Sequence, residues 1–146
     1  MNDIATAYIE ETFQKIRRLH ISEKGEVWLA SDKSGKLVII KEVFLTGLPY
    51  KKLKEHPQPI APKVIYCSES DRETLIVEEY VQGESLLERL EQGHNLAEKE
   101  AEHILLQLCD GLQSLHEQGI IHRDIKPSNL ILQNGGEKGL LSQVSR

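Results

Sequence analysis

The order of patterns along the chain predicts an α+β fold, with strands first and helices second in two segregated parts. Three observations carry this. Residues 26–81 hold short apolar, β-branched runs separated by turn clusters. After Gly83 the apolar period lengthens to that of a helix. Within residues 26–81, four of the five prolines crowd into residues 49–62, where no long element of either kind fits.

Residues 2–11 read as a short polar helix. "EVWLA" (26–30) and "KLVIIKEV" (36–43) read as strands of a hairpin around the turn cluster "SDKSGK". In "PYKKLKEHPQPIAPK" the prolines limit any helix at 50–55 to about one turn. "KVIYC" and "TLIVEEYV" read as two more strands around the polar turn "SESDRE". "SLLERLEQG" reads as a short helix ending at Gly93. A long helix follows, with Asn95 as N-cap and Glu98 as its capping-box partner. Ala101, Ile104, Leu105, Leu108, Leu112 and Leu115 fall on one of its faces, and Gly119 ends it. Gly111, inside the helix, costs about 1 kcal/mol relative to Ala, so a packing reason is expected for it.

Composition narrows the function classes. With 146 residues, 39% hydrophobic and 28% charged, the chain has the makeup of a soluble globular domain. A net charge of −5 argues against nucleic acid or an anionic membrane as main partner. Cys67 and Cys109 are far apart and lack the spacing of a metal site or a disulfide framework. The N-terminus carries early acids and no long apolar run, so neither a signal peptide nor a membrane span is expected, and the expected compartment is the cytoplasm. No internal repeat or low-complexity segment stands out.

The chemistry concentrates in "HRDIKPSN", residues 122–129. Asp124 can accept a proton from a hydroxyl nucleophile. Lys126 can neutralise a transferring phosphoryl group. Asn129 is a hard oxygen ligand suited to Mg²⁺, and Pro127 stiffens the loop. Phosphoryl transfer depends on positioning and charge neutralisation, so a base, a cation and a metal ligand on one short loop make physical sense.

"HRDIKPSN" resembles the catalytic loop of eukaryotic-type protein kinases, and Lys126, two residues after the Asp, resembles the serine/threonine branch. The resemblance runs upstream. "VIIK" resembles the family's third-strand Val-Ala-Ile-Lys, which implies that Lys41 contacts the ATP phosphates. "TLIVEEYVQGESLLERL" resembles the strand and hinge joining the two kinase lobes. There the Glu79 carbonyl and the Val81 N–H would face the adenine edge, with Glu78 at the gatekeeper position. Val27 and Ile131 would close on the adenine ring from above and below, and the long helix would be the family's αE. The implied architecture is an antiparallel N-lobe sheet followed by the first helices of a helical C-lobe. Residues 1–146 would form one partial kinase-like domain, about 12–81 as N-lobe and hinge and 82–146 as the start of the C-lobe.

Four departures from the family pattern shape the expectation. In the phosphate-covering loop, "HISEKGEV", His20 and Ser22 replace two glycines and only Gly25 and Val27 remain. Ile39 stands where the family usually has Ala, on the same strand face as Lys41, and would crowd the adenine roof. The acid that pairs with Lys41 should fall near Thr46 or Gly47, neither of which can pair. Glu42 points to the opposite face and Glu55 comes too late. Finally, "GLLSQVSR" stands where the metal-binding Asp-Phe-Gly is expected, near Ser142. The expectation is therefore the front half of a kinase domain, ended by truncation, a frameshift or an alternative terminus. The implied reaction is ATP γ-phosphoryl transfer to a Ser or Thr hydroxyl with Mg²⁺, through Asp124, Lys126, Asn129 and Lys41. In this chain alone nucleotide binding is expected to be weak and the activity lost. The alternative is a non-catalytic, pseudokinase-like binding module acting through its C-lobe face. A small-molecule phosphotransferase with a related loop is a third reading. An uncovered αE face also implies self-association or a protein partner.

Overall fold

The computed structural model describes residues 3–58, 60–93, 97–120, 130–132 and 141–144. The chain divides into two units, Met1–Pro57 with Lys63–Tyr80, and Gln58–Pro62 with Val81–Arg146.

The first unit is built on an antiparallel sheet of five strands: β1 (Phe13–Ser22), β2 (Gly25–Asp32), β3 (Leu37–Val43), β4 (Val64–Glu69) and β5 (Thr74–Glu79). Their order across the sheet is β1-β2-β3-β5-β4. The β2–β3 hairpin turns where the "SDKSGK" cluster lies. Asp32 Oδ1 accepts hydrogen bonds from Ser34 N at 2.9 Å, Ser34 Oγ at 2.6 Å and Lys36 N at 2.9 Å, while Gly35 takes φ +87°. Those bonds, that of the Ser34 hydroxyl first, hold the Asp32 carboxyl below its ordinary pKa.

Period-two alternation sorts the strand residues onto two faces. Ala30, Val38, Ile40, Leu75 and Val77 form a buried cluster on one of them. Helix α1 (Asp3–Thr12) covers that cluster by inserting Ala5 and Ile9. Its sequence reads as polar, but this two-residue stripe suffices to seat it, and Tyr8 stacks on Tyr66 with ring centroids 4.4 Å apart. Strand β1 is a largely exposed edge. Two register shifts and the cations Lys15, Arg17 and Arg18 guard it against further strand pairing. Ahead of the proline-rich stretch, Gly47 turns at φ +72° and Thr74 Oγ1 donates to the Leu45 carbonyl at 2.6 Å. The helix formed in that stretch, α2 (Tyr50–Glu55), has six residues.

The second unit contains β6 (Glu84–Ser85), α3 (Leu86–Glu91), α4 (Glu98–Glu117), β7 (Leu130–Leu132) and β8 (Leu141–Val144). The three strands form a sheet in the order β6-β7-β8. Ser85 caps α3, its Oγ accepting from Glu88 N at 3.0 Å, and Gly93 follows at φ +76°. The expected cap of α4, Asn95, lies outside the described residues; the N-cap is Ala97, with no side-chain bond to the helix. Gly119 turns beyond the other end at φ +74°.

Gly111 has its packing reason in Ile60. A Cβ at residue 111 would lie 2.6 Å from both Cβ and Cγ1 of Ile60. One turn on, Ser114 Oγ hydrogen-bonds Gln58 Oε1. The α4 stripe differs from the expected one. Ile104 and Leu115 are buried and Leu108 and Leu112 are partly so, but Leu105 is 60% exposed. At 100° per residue, Leu105 lies with Ala101 and Cys109 on a second stripe beside the first.

Candidate functional site

The sheet face opposite α1 carries the residues singled out in the first unit. Val27, Lys41 and Ile76 are Cα partners across β2, β3 and β5, and Leu29, Ile39 and Glu78 form the next row. Val27, Ile39 and Lys41 therefore share one face. Val27 and Ile39 are half-buried, and Lys41 is buried at 7% exposure. Glu42 points the other way, as strand alternation requires, and pairs with Lys15 at 2.7 Å.

Sequence reasoning leaves Lys41 without a carboxylate; the structure supplies one. Lys41 Nζ lies 2.7 Å from Glu78 Oε1, and the two side chains are 9% and 5% exposed. The register explains the pairing. Lys41 stands opposite Ile76 and Glu78 opposite Ile39, so the two are diagonal neighbours on one face. A diagonal of this kind spans about 7–8 Å, within reach of two long side chains. The contact is one of charge, and Nζ exposes less than 1 Å². The Tyr50 ring, at the start of α2, has its centroid 5.6 Å from Nζ. Tyr50 thus stands beside Lys41 as its aromatic neighbour.

Burial pushes the Lys41 pKa down, but Glu78, with Tyr50, outweighs it and the net shift is upward. A lysine pKa raised on folding contributes stability that is complete below the unfolded value, about 10.4, and is lost as pH rises through the folded one. The Lys41 ammonium is therefore charged across the neutral range. Cys67 is also half-buried in this unit. Burial, then the nearby Glu69 carboxylate, raises its thiol pKa and makes it a poor nucleophile.

The stretch expected to cover phosphates forms a tight hairpin between β1 and β2, in which His20 pairs with Val27 and Ser22 with Gly25. Gly25 has a reason within the sheet: at φ +142°, a Cβ there would collide with the Glu42 carbonyl oxygen. Glu79 binds the start of the neighbouring strand. Its N–H donates to the Lys63 carbonyl at 2.9 Å, and its Oε1 accepts from Lys63 N at 3.0 Å.

In the second unit Val81 is half-buried. Ile131 is half-buried in β7, paired with Ser85 and Gln143, between the buried Leu130 and Leu132. Asp124, Lys126 and Asn129 lie outside the described residues, as does the loop that holds them. Among the described residues no cluster of three or more His, Cys, Asp or Glu could hold a metal ion. For a nucleotide, the described face offers apolar cover at Val27 and Ile39. Its buried lysine is not free for a phosphate, because Glu78 occupies the Lys41 ammonium.

The family model of the protein kinase domain matches residues 23–141. Cyclin-dependent kinase G-1 of Oryza sativa subsp. indica is 29% identical over 142 residues, which cover 87% of this chain and 20% of that protein. Cyclin-dependent kinase G1 of Arabidopsis thaliana is 30% identical over 145 residues, covering 86% and 23%. Serine/threonine-protein kinase cds1 of Schizosaccharomyces pombe is 37% identical over 93 residues, covering 64% and 20%. The chain spans about a fifth of the length of these relatives.

Proposed function

Because the chain belongs to the protein kinase family, we propose that it carries an ATP- and Mg²⁺-dependent serine/threonine phosphotransferase site that is catalytically impaired. The observation that carries this reading is the face shared by Val27, Ile39 and Lys41, which puts apolar cover and a buried lysine side by side. In the roles implied by resemblance, Asp124 takes the acceptor hydroxyl's proton, Lys126 neutralises the transferring group and Asn129 holds Mg²⁺, which screens the phosphates' charge. The acceptor is a Ser or Thr hydroxyl of a protein, and the compartment we assign is the cytoplasm.

Impairment has three supports within the 146 residues. Ile39, half-buried on the Lys41 face, would crowd the adenine roof. The hairpin at residues 20–27 keeps one of its three expected glycines. Lys41 is bound to Glu78. Since positioning supplies most of the catalysis in this chemistry, such a site loses most of its rate. The test is label transfer from γ-phosphate-labelled ATP to the protein itself and to generic acceptors. No incorporation above background is expected. Incorporation that disappears in Asp124→Ala would contradict impairment and leave an active kinase.

One observation favours a second reading, a binding module that associates with a copy of itself. Leu105 and Leu106 are 60% and 56% exposed on α4. With Glu98, Ala101, Glu102 and Cys109 they line an open groove of about 420 Å³. Light scattering after size exclusion tests it. A dimer that Leu105→Ser converts to monomer supports self-association through this groove, and a monomer at all concentrations removes it.

A further inference from the structure

The pair of Lys41 and Glu78 raises a question that the family resemblance does not answer. A lysine serving a phosphate must present its ammonium to an incoming anion. Here Nζ exposes less than 1 Å², its charge is matched by a carboxylate 2.7 Å away, and the Tyr50 ring lies 5.6 Å from it. Glu78 is itself only 4% exposed, and Lys41 is its one ion-pair partner among the described residues. An anion taking Lys41 therefore leaves a buried carboxylate without its cation, which is strongly unfavourable.

We propose that Glu78 and Tyr50 form an internal latch on Lys41, in which the Glu78 carboxylate competes with phosphate for the ammonium and sets how weakly this face takes a nucleotide. The competition follows from the sheet register, because the diagonal placement of residues 41 and 78 holds the carboxylate beside the lysine without help from any helix. Tyr50 approaches from α2, a six-residue helix after the bend at Gly47. It is the part of the latch that can withdraw without disturbing strand pairing. The raised Lys41 pKa fits a pair in which the ammonium stays charged although buried. The population with Lys41 free is then small, and apparent affinity for a phosphate ligand falls by that fraction. This inference rests on the reading of the Val27/Ile39/Lys41 face as a nucleotide face only for the identity of the ligand; the latch itself is read without one.

The experiment is acylation of lysines by an amine-reactive ester, followed by peptide mass mapping, on the full chain with and without Mg-ATP. The variants are Glu78→Gln and Tyr50→Ala, each first shown to be folded by circular dichroism. In the parent chain Lys41 is expected to react at least about tenfold more slowly than the exposed Lys33 and Lys52, since it is buried and held charged. Either variant should raise the Lys41 rate several-fold while leaving Lys33 and Lys52 unchanged. Should Glu78→Gln fail to fold, Tyr50→Ala carries the same comparison without removing the buried charge. Mg-ATP should protect Lys41 in the opened variants at a concentration about fivefold or more below that needed in the parent chain. A Lys41 that reacts as fast as Lys33 in the parent chain, or no faster in folded variants, overturns the latch. A Lys41 that is freed but not protected by Mg-ATP leaves the latch standing as a structural seal, and overturns both its competition with phosphate and the nucleotide reading of this face.

Discussion

In the sheet unit Val38, Ile40, Ile76 and Val77 are each no more than 1% exposed, whereas α4 of the second unit buries Ile104 and Leu115 and leaves Leu105 and Leu106 more than half exposed. The difference lies in how the two kinds of element use their faces. An antiparallel strand offers two faces at period two, and β3 and β5 have both occupied: one by the apolar cluster under α1, the other by Lys41, Ile76 and Glu78. A helix distributes its residues around a cylinder, so one buried stripe leaves neighbouring apolar residues to solvent or to whatever binds there. The sheet unit therefore holds its buried lysine within a packed framework. The helix instead leaves Leu105 and Leu106 exposed.

The largest expected effect that sharpens this contrast is in the sheet core. Ile40→Ala should destabilise the chain by about 2–5 kcal/mol, through lost burial and the cavity left under α1. Leu105→Ala on α4 should stay within about 0.5 kcal/mol. Urea unfolding of both variants measures the pair. Equal losses would mean that α4 is as fully packed as β3, and the contrast would fail.

A smaller effect probes the tightest packing in the second unit. Gly111→Ala gains helix propensity but forces a methyl group against Ile60. It should destabilise by about 1–3 kcal/mol, as overpacked sites do. The clash predicts coupling: in an Ile60→Ala background the same change should cost less by at least about 0.5 kcal/mol. Gly111→Ala that stabilises the parent chain would show that Ile60 moves aside freely.

How much of this was legible in the sequence depends on the range of the determining contact. The β2–β3 hairpin, the six-residue α2 and the C-terminal ends of α3 and α4 follow from local chemistry: alternation, the Asp32 turn, prolines and glycines with positive φ. Gly111 could be flagged from its cost in a helix, but Ile60 could not be named, because it lies 51 residues earlier (111 − 60) and only the tertiary fold joins them. Glu78 cannot be named from sequence as the Lys41 partner for a related reason. Its position in "TLIVEE" is plain, yet the diagonal contact requires the register of β3 on β5, which alternation within each strand does not set. For α4 the period gave the stripe of Ile104 and Leu115, but which neighbouring apolar residues are covered depends on the packing elements around it.

The smallest expected effect compares the two cysteines, one in each unit. Cys67, half-buried in β4 with its thiol pKa raised, should alkylate several-fold more slowly at neutral pH than the exposed Cys109 on α4. Mass mapping after brief iodoacetamide treatment reads both. A Cys67 that reacts first would mean that β4 opens readily and that the sheet unit is less closed than its burial implies.

The central claim is that the sheet presents a kinase-like nucleotide face whose lysine is already occupied, so that the chain engages nucleotide poorly. Titration calorimetry of the parent chain with Mg-ATP tests it most directly. The account predicts a dissociation constant of hundreds of micromolar or weaker, an affinity of about −5 kcal/mol or less in magnitude. A magnesium-dependent dissociation constant in the low micromolar range would contradict it, because Lys41 would then be free to meet phosphate despite Glu78.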